Sequence, residues 1–258
     1  MDLDLTRRIE EANFNGFPSE RIHLDGSWIT RISPGNPARR VNSLNFLARE
    51  DDASLQERLA RSRSQLEAAG EAFHLRWTPL APQAVTDFCD AAGWPAHGHA
   101  DVWGLRLADF HNHGAQQADI GITGEPLESW LAAFATIGGT RTEAATPQAV
   151  ERLGASLARI SIPCALLVAR SGAGEPVGTA IATLDRDLIG LYDVAVAPAM
   201  RRMGLGRALV AACLSVGRDQ GSAIAWLQVT AENAAARALY QSMGFVPLYS
   251  YHYRSPVG

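Results

Sequence analysis

The chain lacks a surplus of positive charge. Its 258 residues carry 23 Lys and Arg against 27 Asp and Glu, a formal net charge of -4 with a pI near 6.0. A nucleic-acid binder draws much of its affinity from neutralising phosphates with Lys and Arg, so no nucleic-acid partner is expected. Cysteine is scarce as well. Cys89, Cys164 and Cys213 are odd in number, far apart and never in a Cys-x-x-Cys arrangement, which argues against a disulfide framework or a thiolate zinc site and leaves buried free thiols. No apolar run approaches the length of a membrane span, and Met1-Asp2-Leu3-Asp4 lacks the basic start of a signal peptide. A cytoplasmic, globular protein without a membrane partner is expected, of one large or two small domains, with 47% hydrophobic and 19% charged residues to build it.

One stretch organises what is present, Val194-Ala195-Val196-Ala197-Pro198-Ala199-Met200-Arg201-Arg202-Met203-Gly204-Leu205-Gly206-Arg207-Ala208. A β-branched apolar run ends at Pro198, a turn carries two arginines, and two glycines flank Leu205 ahead of a helical pattern. Gly204 and Gly206 permit backbone conformations closed to other residues and let a ligand approach main-chain N–H groups. The helix that follows leaves its first N–H groups unpaired and its dipole favours negative charge there. Arg201, Arg202 and Arg207 add positive charge, so the turn reads as a pyrophosphate cradle, although Gly-x-Gly also closes ordinary turns. A dinucleotide oxidoreductase does not fit, because Leu209 stands where the third glycine of that fingerprint is needed and the next strand ends without an acidic residue.

The spacing Arg-x-x-Gly-x-Gly-x-Ala over Arg201 to Ala208 resembles the acetyl-CoA loop of the GCN5-related N-acetyltransferase (GNAT) superfamily. A second match follows in the right order: Asn233-Ala-Ala-Ala-Arg-Ala-Leu-Tyr240-Gln-Ser-Met-Gly244-Phe245 resembles that superfamily's Asn-x-x-Ala-x-x-Leu-Tyr-x-x-x-Gly-Phe helix. The resemblance implies an α/β (α+β) fold, a mixed and mostly antiparallel sheet flanked by helices, with acetyl-CoA as co-substrate and an amine as acceptor. It implies that the strand around Val194, Ala195 and Val196 splays from the strand at 224–229 and holds acetyl-CoA through its main chain. Arg201, Arg202, Met203, Gly204, Leu205, Gly206, Arg207 and Asn233 would complete the cofactor site. Without the resemblance the valines read as sheet core, and Asn233 as a helix N-cap.

Helical and strand patterns alternate along the whole chain: helix 4–14, strands 22–32 and 39–47, helix 54–69, strand 73–77, helix 82–92 and strand 102–107. Residues 111–126 read as a polar linker or acceptor-side loop, and 127–136 and 147–157 as two helices around Gly138-Gly139, which in the superfamily lie over the acceptor. Strands 164–169, 177–184 and 188–197, helix 208–220, strand 224–229, helix 233–243 and strand 246–253 complete the pattern. Gly93-Trp94 precedes Gly244-Phe245 by 151 positions (244 − 93 = 151), each pair closing a helix, which reads as an internal duplication. The expected division is 1–112, a degenerate GNAT-like domain without Arg-x-x-Gly-x-Gly, and 113–258, a catalytic domain. Four of the seven histidines, His97, His99, His111 and His113, fall near the junction, but no carboxylate or cysteine completes a ligand set, so no metal is assigned.

Acetyl transfer releases a thiolate whose conjugate acid titrates near 8.5, and a phenol near 10 is suited to protonate or hydrogen-bond it. Tyr240 is therefore the candidate general acid, as in the relatives it resembles; a Tyr packed with its hydroxyl on backbone is the alternative. The base is less defined. Relatives of the ribosomal-protein N-terminal acetyltransferase type place Glu five residues before the motif Asn, where this chain has Gln228, so Asp193 beside the cofactor strand is the first candidate and Glu232 or a water chain the next. The competing class is a non-catalytic acetyl-CoA-binding regulatory module. A homodimer is left open.

Overall fold

A computed structural model describes residues 2–111, 119–138 and 146–257. It shows α1 (Leu3–Gly16), β1 (Arg21–Asp25), β2 (Trp28–Ile32), β3 (Ser43–Phe46), α2 (Leu55–Ala68), β4 (Leu75–Trp77), α3 (Gln83–Ala91) and β5 (Ala96–Arg106). Then come β6 (Ile120–Gly124), α4 (Leu127–Ile137), α5 (Pro147–Ala158), β7 (Cys164–Ser171), β8 (Pro176–Asp185), β9 (Leu188–Val196), α6 (Leu205–Asp219), β10 (Ile224–Thr230), α7 (Ala234–Ser242) and β11 (Val246–Arg254). The architecture is α+β, with mixed sheet flanked by helices. Among the described residues no helix is long and apolar enough to cross a membrane.

Two compact units arise, one from Met1–Val102, Val229–Glu232 and Pro247–Gly258, the other from Trp103–Gln228 and Asn233–Val246. The division expected at 112/113 is continuous in sequence; these units are not, because the last strand, β11, lies almost wholly in the first. Residues 112–118, including His113, and Gly139 lie outside the described residues.

The first unit orders its strands β1-β2-β3-β4-β11, with β1–β2 and β2–β3 antiparallel and β3–β4 parallel through Leu44↔Leu75. On the α2 face the strand residues Trp28, Leu44, Phe46 and Leu75 pack with Leu59 and Leu66 of α2, where burying each large apolar side chain contributes roughly 1.5–3 kcal/mol. The opposite face is polar inside: Arg76 of β4 donates to Glu10 of α1, and Tyr249 donates to the other Glu10 oxygen at 2.7 Å, all three buried. Burial works against the Arg76 charge, but Glu10 together with Tyr253 and Tyr251 more than offsets it and holds the guanidinium protonated.

The second unit orders its strands β10-β9-β8-β7-β6. The segment 120–124, read from sequence as loop, is the edge strand β6, antiparallel to β7 from Ile120↔Ser171 to Gly124↔Leu167. Its alternation, Ile120-Gly121-Ile122-Thr123-Gly124, is a strand period hidden by two glycines. Trp130 of α4 is fully buried and its Nε1 donates to Leu167 O at 3.1 Å and Ala180 O at 3.2 Å, which pins the helix across β7 and β8. α6 lies close against the sheet because small residues face it: a Cβ on Gly217 would stand 2.8 Å from Ile189 Cγ2, and one on Gly178 2.8 Å from Leu209 Cδ1.

The two halves agree in backbone detail. α2 is entered through Ser54 at φ 52° and α6 through Gly204 at φ 85°, both left-handed, with first helical bonds Arg58 N→Ser54 O (3.0 Å) and Ala208 N→Gly204 O (3.1 Å). α3 and α7 are left through Gly93 (φ 68°) and Gly244 (φ 91°), with Trp94 N→Cys89 O at 2.9 Å and Phe245 N→Tyr240 O at 3.1 Å. Both exits are six-to-one C-cap bonds through a left-handed glycine. β5 begins six residues before the strand expected at 102–107, reaching back through His97, Gly98 and His99.

Candidate active site

The strand that the sequence singles out is open on one side. β9 pairs with β10 in parallel from Leu188↔Ile224 to Leu191↔Leu227, yet β9 runs on to Val196, paired there among the described residues with β8 alone. Within that run the register with β8 shifts, so that Asp193 and Val194 together face Ala180, and Asp193 adopts φ 44°. Such a bulge re-aims main-chain groups, and a non-glycine residue in this region costs roughly 1–2 kcal/mol, least for Asp and Asn. The edge of β9 from Asp193 to Val196 thus lies beyond its register with β10, a place for an extended chain to add as a strand. Val194 and Val196 are half-buried there and Ala195 is buried.

Beyond Val196 a short turn at Pro198–Met200 leads to Arg202 (φ 64°) and Gly204 (φ 85°), and α6 begins at Leu205, three residues before the start at 208 expected from periodicity. No side chain caps the helix, so the N–H groups of Leu205, Gly206 and Arg207, which precede its first internal bond, face outward at a dipole end that favours an anion. A Cβ on Gly206 would meet Leu239 Cδ2 at 3.3 Å, so the residue also lets α7 close against the mouth. Arg201, Arg202 and Met203 are exposed around it, with Arg201 Nε donating to Val196 O at 3.3 Å. Arg207 is directed elsewhere: its guanidinium donates to Ser242 Oγ at 2.6 Å and ties the first turn of α6 to the last of α7.

Asn233 and Tyr240 sit at the two ends of α7 but in different surroundings. Asn233 is exposed, and its Oδ1 accepts from Ala236 N at 3.1 Å, the N-cap expected of that residue. Tyr240 is 9% exposed, its ring 5.8 Å from that of Phe245, and burial followed by the neighbouring Cys213 pushes its phenol up to about 12. Glu232 is exposed and belongs to the first unit, whereas Asp193 is half-buried in the second. Sequence reasoning missed the bulge at Asp193 and the Arg207–Ser242 tie; an Asp inside an apolar strand was the available signal for the first. Among the described residues no group of three or more His, Cys, Asp or Glu side chains is arranged to hold a metal ion. His97 is instead engaged by Arg39 Nη1 at 2.8 Å and by Ser255 Oγ at 2.9 Å.

Comparison with known proteins follows the same lines. The chain is 43% identical over 72 residues to the ribosomal protein bS18-alanine N-acetyltransferase of Escherichia coli strain K12, covering 28% of this chain and 49% of that protein. The chain therefore spans about half the length of this curated relative. Among solved structures, a GCN5-related N-acetyltransferase from Kribbella flavida superposes with a TM-score of 0.73 at 18% identity, over 98% of this chain and 96% of that one. A tandem GNAT protein from the clavulanic acid biosynthesis pathway does so with a TM-score of 0.68 at 12% identity, over 95% and 86%. At these identities the structures establish the fold. The sequence profile of the Acetyltransferase (GNAT) family matches residues 133–245, the span that contains β9, the glycine turn, α6 and α7. The likeness to that family thus rests on 113 of the 258 residues (245 − 133 + 1 = 113), fewer than half of the chain.

Proposed function

We propose that this chain moves an acetyl group from acetyl-CoA to a primary amine of a small molecule or peptide by direct attack. The observation that carries the reading is the conjunction of an uncapped α6 N-terminus, entered through Gly204, with the end of β9 immediately before it, where the register with β10 has stopped. The diphosphate of acetyl-CoA would meet the amides of Leu205, Gly206 and Arg207 together with Arg201 and Arg202, and its pantetheine amides would pair with Val194 to Val196. Met203 and Asn233 would flank the same molecule. The acceptor nitrogen, freed of one proton by the base, attacks the thioester carbon; a tetrahedral intermediate with a positively charged nitrogen forms, the C–S bond breaks, sulfur leaves as thiolate, and the nitrogen gives up its second proton to solvent to leave the amide.

Tyr240 would face that sulfur. With its phenol near 12, complete proton transfer to a thiolate near 8.5 runs roughly 5 kcal/mol uphill, so Tyr240 serves best as a hydrogen-bond donor that remains protonated until charge builds. Asp193 is the proposed base, acting directly or through water. The relative's alanine acceptor is compatible with an α-amino group, while Gln228, standing where such relatives place Glu, argues that the acceptor differs. The first half, residues 1–112, holds no cofactor in this reading, and the protein is taken as cytoplasmic.

Calorimetric titration with acetyl-CoA tests the binding step: saturable binding that is lost in Gly206→Glu is expected, and no binding by the unaltered chain discards the reading. Release of CoA in the presence of an amine panel separates an enzyme from the regulatory module that Gln228 would suit. Tyr240→Phe is expected to lower kcat roughly 10–100-fold with the affinity for acetyl-CoA unchanged; equal turnover removes its role.

A further inference from the structure

The two units end their hairpins differently. In the second, β7 has its outer edge covered by β6 along five register pairs. In the first, β1 is the terminal strand: among the described residues it pairs with β2 alone, four of its five residues are exposed, and Ile22 and Leu24 show 46% and 73% of their surface. This edge carries no proline and no bulge, the usual devices that keep a strand from pairing with another chain.

The strand reads Arg21-Ile22-His23-Leu24-Asp25, which is complementary to its own reversal. We propose that β1 of one copy pairs antiparallel with β1 of a second copy about a two-fold axis through His23, making the protein a homodimer. Arg21 then faces Asp25 of the other copy on both sides of the axis, and Ile22 faces Leu24, so one register satisfies both the charged and the apolar pairs. The register also assigns the faces. His23 and Asp25 lie opposite Thr30 and Trp28 on the α2 side, where Thr30 donates to Ser62 at 2.8 Å and Asp25 meets Arg61 at 3.3 Å; Ile22 and Leu24 lie on the other side. On the α2 side an open groove of about 500 Å³, walled by Arg61, Ser62 and Gln65, runs along β1 and leaves room for the second copy's Arg21 and His23. Strands stand about 4.8 Å apart, so the two β2 strands, and the α2 helices above them, are about 14 Å apart across the axis, beyond the 8–10 Å of packed helices and free of clash. Five residues a side form a small seam, well under the ~1,600 Å² of a standard interface, so the affinity belongs in the micromolar range.

Sedimentation equilibrium of the full chain from about 1 to about 300 μM reads this directly, independently of acetyl transfer. A monomer–dimer equilibrium is expected. Arg21→Asp, which sets a second carboxylate against Asp25 across the seam, and Asp25→Arg, which sets a second guanidinium against Arg21, are each expected to weaken it at least 10-fold. An equimolar mixture of the two variants is expected to restore association. Asp25 also pairs with Arg58 and Arg61 within its own unit, so Leu24→Glu, at a largely exposed position, provides a second variant with the fold untouched and is expected to be monomeric. A wild type that stays monomeric throughout, a dimer that survives both Arg21→Asp and Leu24→Glu, or folded charge variants whose mixture does not associate would each overturn the proposal.

Discussion

Each half of the chain has a helix entered through a left-handed residue, and the two entrances differ in charge. Before α2 stand Arg49, Glu50, Asp51 and Asp52, one arginine against three carboxylates; around the start of α6 stand Arg201, Arg202 and Arg207 with none. The first entrance already holds an anion of its own. The Asp51 carboxylate accepts from Arg58 in the first turn of α2 at 2.6 Å and from Ser27 N at 2.7 Å, and the Arg58 bond, opposed by burial and aided by Ser27, holds it well below the usual carboxylate range. The two entrances share their backbone geometry but not the electrostatics that would accept a diphosphate. A fold can thus keep its entrance while filling it with its own side chains.

The largest expected effect lies in the first unit. Glu10→Ala strands Arg76 in a buried site and is expected to cost about 3–5 kcal/mol, measured by guanidinium denaturation, while replacing both by apolar residues, Glu10→Leu with Arg76→Met, should recover most of the loss. Next come matched substitutions at the two entrances. Gly206→Glu is expected to weaken acetyl-CoA binding at least about 100-fold by calorimetry, and Gln56→Glu, at the equivalent place (206 − 150 = 56), to leave it unchanged. Ser54→Gly should relieve a left-handed non-glycine residue and raise stability by up to about 1 kcal/mol, while Gly204→Ser should lose a similar amount.

Acid should separate the units by the groups they titrate. Burial, and then Arg39 and His97, lower His74 to about 4, and burial, then Arg254 and nearby histidines, lower His252 to about 4. The unfolded chain then binds more protons between about 6.5 and 4, so their contribution is complete above pH 6.5 and is lost as pH falls through that window. In the second unit Glu125, held at about 2 chiefly by hydrogen bonds from Arg170, contributes above pH 4.5 and is lost only as pH falls from there toward 2. Hydrogen exchange at pH 5 should therefore show a greater loss of protection in the strands around His74 and His252 than in β7 around Arg170.

Much of this was legible in residue order. Helix and strand periods located almost every element, since apolar spacing reflects which face is buried. The glycine pair and the Asn-to-Phe helix pointed to the span that matches the acetyltransferase (GNAT) family, because backbone freedom and cap chemistry act within a few residues. The strand β6 was missed where glycines blurred its alternation, and the helix start at Leu205 where Gly204 and Gly206 masked the period.

Local chemistry decided where the chain turns and caps its helices, since those preferences act over one or two turns of backbone. Only folding decided that Arg207 answers to Ser242 and that β11 joins the first unit rather than the second. These depend on register and packing between residues far apart in the chain, which no window of sequence contains.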